Sequence, residues 1–165
     1  MQTWRKIVAA CFLGLSSLTA QAISPEELQA LEFMKNSFSQ VDINRISYIS
    51  QKMAMDDEAA TKFWPRYQAY LNKQIALRDH QLATLTRFAT HFNKETLDAK
   101  SASNLLNESM KQERQRLSNR QQLVKEMAGT LNPQQQLRLY QLELLLDAQV
   151  RSNILTQIPL AESAN

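Results

Sequence analysis

The sequence predicts an all-α fold of about four helices, and three observations carry that prediction. Residues that break regular structure are scarce, with two glycines and four prolines in 165 residues, whereas a strand-and-turn protein needs many more. The stretches between them are rich in Gln, Leu, Ala, Lys, Glu and Arg, which favour helix. Apolar positions in these stretches recur at steps of three and four, the helical period.

The first segment stands apart. Arg5 and Lys6 give it positive charge without an acid, residues 7–20 are apolar or small, and Ala20-Gln21-Ala22 supplies a small-residue processing site. These are the three parts of a cleavable secretory signal, expected to be cut between Ala22 and Ile23. The apolar run falls short of the roughly 20 residues that span a bilayer, so no stable span is expected after processing. The Val8-Ala9-Ala10-Cys11 stretch resembles a lipoprotein site, but too few apolar residues precede it. Removing 22 of the 165 residues leaves 143, enough for one helical domain over 23–158 and a short disordered tail over 159–165. Cys11, the only cysteine, leaves with the signal, which excludes disulfides from the product. Arg5 and Lys6 leave too, so 19 basic residues against 16 acidic become 17 against 16. That near-neutral balance lacks the electrostatic footprint of a nucleic-acid-binding protein.

Helix 1 is expected to start at Ser24, with Pro25 at the first helical position and Glu27 placed to complete a capping box. Leu31, Met34, Phe38 and Val41, then Ile46, Ile49 and Met53, mark its apolar stripe. Helix 2 is expected to be capped by Asp56, with Asp57 and Glu58 at the positive end of the dipole. Its stripe is Phe63, Trp64, Tyr67, Leu71, Ile75, Leu82, Leu85, Phe88 and Phe92. Pro65 inside it predicts a kink, or else a start at Pro65. Helix 3 is expected over 95–128 on a thin stripe of Leu97, Leu105, Leu106, Met110, Leu117, Val124 and Met127. Residues 107–122 are nearly all polar, so this helix is either widely solvated or held at one narrow seam. Gly129 fits the position just past its end. Helix 4 is expected to open with Asn132 as cap, Pro133 at the first position and Gln135 completing the box. Its leucines are too many for one core stripe, which predicts packing against a second chain in a homodimer. Pro159 stops it.

Residue chemistry does not point to an enzyme, and no catalytic group or cofactor is expected. His80 and His91, the two histidines, stand three helical turns and about 16 Å apart. One metal ion cannot bridge them, so a metal site needs ligands from another helix or subunit. The acids Asp56, Asp57 and Glu58 read as a helix start. No nucleophile, base and orienting group can be assembled from two histidines on one helix and scattered serines. Lys111, Arg114, Arg116 and Arg120 form a basic run around Glu113. It reads as a solvated face, or with Met110 and Leu117 as a surface that binds client proteins. Exposed methionines suit promiscuous contacts.

Two copies of a short motif and two longer stretches bear a resemblance. Leu131-Asn132-Pro133-Gln134-Gln135 is similar to the LTxxQ motif of the Spy/CpxP group of small periplasmic proteins, with Asn132 in place of Thr. Met55-Asp56-Asp57-Glu58-Ala59 stands where the first copy of the motif occurs, keeping the cap at Asp56 but losing the Gln at Ala59. Phe63-Trp64-Pro65-Arg66-Tyr67 resembles an FWPxY signature of one branch. Leu139 to Glu143, then Ile158-Pro159-Leu160, resemble that branch's C-terminal helix. The resemblance covers most of residues 40–160. It implies a long bent helical hairpin with flanking helices, dimerised into a thin curved cradle. The implied role is a periplasmic, ATP-independent chaperone or stress-response protein that binds partly unfolded envelope proteins. A regulatory adaptor on a membrane signalling protein and a metal-responsive accessory protein are the alternatives it leaves.

Overall fold

The structure, a computed structural model, describes residues 25–156 and 158–161. The expected signal peptide and its Ala22–Ile23 junction lie outside the described residues. So do Ser24, the expected cap of the first helix, and residues 162–165 of the expected tail.

Four helices follow in order: α1 (Pro25–Met53), α2 (Asp57–Asn93), α3 (Ala99–Glu126) and α4 (Pro133–Leu155). The fold is all-α, with no strand among the described residues. Two helix starts are set by caps that the sequence announces. Asp56 accepts the Ala59 N–H at 2.8 Å. Asn132 accepts the Gln135 N–H at 2.9 Å while Gln135 accepts the Asn132 N–H at 3.0 Å, a complete capping box with Pro133 at the first turn.

α3 is shorter than the expected 95–128. Glu95 takes a left-handed φ of 55° in the turn after α2, and Asp98 then caps α3 by accepting the Ser101 N–H. At its other end Met127 is the cap, so Gly129 lies one residue beyond the expected position. There its φ of 80° serves a turn in which the Thr130 and Leu131 N–H groups both donate to the Met127 carbonyl.

α2 runs unbroken through Pro65 for 37 residues, about 55 Å. Pro65 is on the exposed face, so the carbonyl one turn earlier, left without its donor, opens to solvent. Phe63, Tyr67 and Tyr70 occupy the opposite, buried face at steps of four and three.

The helices pair two by two. α2 and α3 form an antiparallel hairpin and make the most extensive contact, and α1 lies against α4. The apolar core sits where α1 ends, α2 begins, α3 ends and α4 begins. Ile49, Met53, Phe63, Tyr67, Leu123, Met127, Leu131, Leu139 and Leu146 fill it. Phe63 stacks on Tyr67 with centroids 5.2 Å apart and meets Trp64 edge-on at 5.1 Å. Five stripe positions depart from expectation, because Ile46, Ile75, Leu106, Met110 and Leu117 face solvent. Leu31, Met34, Phe38 and Val41 lie outside the described side chains.

Candidate functional site

The outer faces of α3 and α4 carry unburied apolar side chains. On α3 these are Leu106, Met110 and Leu117, which fall within about 40° of one another at 100° per residue. On α4, Leu137, Leu144 and Leu155 fall within about 20°, with Leu145 to one side. Leu137 is 58% exposed and Leu106 60%. Leu117 of the first stripe and Leu144 of the second line a groove of about 270 Å³ between α3 and α4, together with Ala148.

Charged side chains border this groove as one network. Asp147 of α4 faces Arg116 Nε at 3.4 Å and Arg120 Nη2 at 3.0 Å. Glu113 accepts from Arg116 at 2.9 Å and from Arg151 of α4 at 2.7 Å. The arginine stems lie buried while their heads reach these carboxylates. Arg116 and Arg120 are 7% and 5% exposed, so the expected solvated surface is corrected here. These residues form the narrow seam that holds α3 to α4, and of the three expected surface arginines Arg114 alone faces outward.

Behind the groove, Glu143 is fully buried. Its carboxylate accepts Arg45 Nη1 at 2.6 Å, the Tyr67 hydroxyl at 2.6 Å and the Tyr70 hydroxyl at 2.7 Å. One acid thus ties α1, α2 and α4 together. Burial first, and then the charge of Glu143, pushes both phenols well above the ordinary tyrosine range.

A second charged contact closes the hairpin away from the core. Arg87 of α2 forks onto both carboxylate oxygens of Glu108, which also accepts from Thr84. The Arg87 hydrogen bond holds the Glu108 carboxyl below the usual carboxylate range.

The histidines stay apart. His91 contacts Thr96 through Nδ1 at 3.1 Å, and His80 lines a polar groove between α2 and α3. Among the described residues no three His, Cys, Asp or Glu side chains gather as a metal site. Of the resemblance residues, Phe63, Tyr67 and Glu143 share the core, Leu131 is buried beside them, and Pro159 is half-buried. Asp56, Asn132 and Gln135 act as caps.

Sequence reasoning missed Arg45, Tyr70 and Asp147. Tyr70 carried a signal, since it continues the face of Phe63 and Tyr67. Glu143, an acid on the apolar face of Leu139, Leu142 and Leu146, carried another, because a buried acid demands donors.

No helix among the described residues is long and apolar enough to cross a membrane. The chain matches no protein-family model, no curated protein and no solved structure.

Proposed function

We propose that this chain is a secreted, periplasmic chaperone-like protein that holds partly unfolded proteins without a nucleotide cofactor. The observation that supports the reading is the α3–α4 groove, where Leu117 and Leu144, one from each exposed apolar stripe, sit between fixed charges. Exposed apolar surface rimmed by polar groups is the signature of a surface that binds other proteins. An unfolded segment offers scattered apolar side chains and mixed charge, and this surface answers both. Leu106, Met110, Leu117 and Leu144 cover client side chains. Arg114, beside them, speeds encounter with acidic segments. The groove is open along its length, so each contact is shallow and release is fast.

Light scattering of a heat-aggregating client tests the reading. At several-fold molar excess the protein suppresses aggregation, and a Leu117→Asp/Leu144→Asp variant with unchanged helical content loses most of that effect. No suppression by the unaltered protein sinks the proposal.

A further inference from the structure

The polar groove between α2 and α3, of about 850 Å³, takes its lining from those two helices alone. It extends from Lys73 to Arg87 on α2, about 21 Å of helix. Its charge is positive. Lys73, Arg87 and Lys111 line it against a single acid, Glu108, and Arg87 already forks onto both oxygens of that acid. Lys73 and Lys111 carry the surplus. Gln112 of α3 donates to the His80 carbonyl, so Lys111 stands nearly level with His80 and about 10 Å along the hairpin from Lys73. Basic residues also repeat along the α2 side, since Lys73, His80 and Arg87 recur every seven residues. The rest of the wall is rich in amides. Gln112, Gln115 and Gln122 each spend an Nε2 hydrogen within the chain, on Thr84 at 2.8 Å, Asn119 at 2.8 Å and Glu126 at 2.9 Å. Among the described residues their Oε1 atoms accept from no donor. A ligand of this groove must therefore carry negative charge and also donate hydrogen bonds.

We infer that this groove binds an acidic oligosaccharide, a short chain of hydroxylated rings that bear carboxylates. Its carboxylates meet Lys73 and Lys111, and its hydroxyls donate to the glutamine carbonyls. Ala76 and Ala83, seven residues apart in the lining, leave apolar surface for the C–H face of a ring. The length of the groove and the repeat of basic residues suit a chain of several units. Other anions answer only part of this wall. Polyphosphate meets the lysines but donates nothing to the carbonyls. An acidic peptide brings charge, yet protein interfaces are centred on apolar and aromatic anchors, and here Leu77 is already buried and the alanines are small. A single-stranded nucleic acid stacks its bases on aromatic side chains, and none lines this groove. The inference does not depend on chaperone activity, which belongs to the α3–α4 groove.

Calorimetry on the purified protein at low salt tests this with four probes: a galacturonate tetramer, neutral maltotetraose, tetraglutamate and tetrapolyphosphate. The galacturonate tetramer binds with a Kd on the order of 0.1–1 mM, in the range of an open and solvated site. The other three, which lack either the charge or the hydroxyls, bind at least about fivefold more weakly. Lys73→Gln/Lys111→Gln weakens the galacturonate tetramer by about tenfold, roughly threefold for each exposed charge, and leaves aggregation suppression unchanged. Gln115→Leu weakens it by about threefold and leaves the response to tetraglutamate as it was. These side chains are exposed, so the variants keep their helical content. In the unaltered protein the side-chain amide resonances of Gln115 and Gln122 shift on titration. Absence of both heat and shift at ten times the expected Kd overturns the inference. So does equal binding of maltotetraose, or binding of tetraglutamate or tetrapolyphosphate as tight as that of the galacturonate tetramer.

Discussion

Glu143 concentrates the energetics of single residues. Its charge is removed from water and answered by three donors, so deleting the carboxylate takes from the buried Arg45 guanidinium its acidic partner. Removing one partner of a buried ion pair costs about 3–5 kcal/mol, whereas replacing both by apolar residues of similar volume is often neutral or stabilising. Urea unfolding of Glu143→Ala is therefore expected to show a loss of that order, and Arg45→Leu/Glu143→Leu to recover most of it. A double variant as unstable as the single one removes the ion-pair account. The phenols add a pH dependence. The folded chain keeps Tyr67 and Tyr70 protonated above the pH at which an unfolded tyrosine ionises, about 10. Their contribution is complete below that pH and drains away as pH rises beyond it. Melting temperature is expected to fall between pH 10 and 11.5 more steeply in the unaltered protein than in Tyr67→Phe/Tyr70→Phe. Half of this cluster was legible in the sequence. Glu143 and Tyr67 stand out as an acid and a polar aromatic on apolar helical faces. Arg45 shares a helix face with Ile49 and Met53, but its partner is 98 positions away and nothing near it in sequence announces the pair.

At the scale of elements, the caps decide where helices begin, and they made most boundaries readable. Asn132→Ala removes the acceptor of one N–H and leaves Gln135 without its reciprocal partner, at a cost of about 1 kcal/mol. Asn132→Thr keeps a capping oxygen and loses less. Chemical denaturation of the two variants checks the order, and equal losses count against the box. α3 resisted reading for a physical reason. Its apolar stripe, Leu106, Met110 and Leu117, faces out, while Arg116, Asn119 and Arg120 face in with Leu123. Polarity counted per residue cannot reveal this, because an arginine buries its stem and keeps only its head for the carboxylate it meets. The start of α3 was misplaced for a related reason. Asp98 is a better cap than Glu95, and Glu95 spends its conformation on the left-handed turn.

For the whole molecule, the open question is what covers α4. Leu137, Leu144 and Leu155 form a line about 27 Å long. A line of this kind is self-complementary about a two-fold axis, with Leu137 of one copy near Leu155 of the other and Leu144 close to the axis. Each of these leucines already buries about half of itself, so pairing recovers about 1 kcal/mol per side chain. Six to eight such side chains stand against an association cost of about 4–15 kcal/mol. The balance, at most about 4 kcal/mol in favour, predicts a weak dimer that dissociates at about millimolar concentration or above. Sedimentation velocity from about 0.05 to 2 mM is expected to show the sedimentation coefficient rising with concentration. A Leu144→Lys variant is expected to stay monomeric with its helical content intact. Because Leu144 also borders the α3–α4 groove, a dimer through this line and client capture are expected to compete. Dilution into the monomer range then raises aggregation suppression per chain. Met110→Lys, on α3 alone, separates the two roles by weakening capture while leaving the dimer in place. A protein that is monomeric throughout and still suppresses aggregation assigns the α4 line to clients instead.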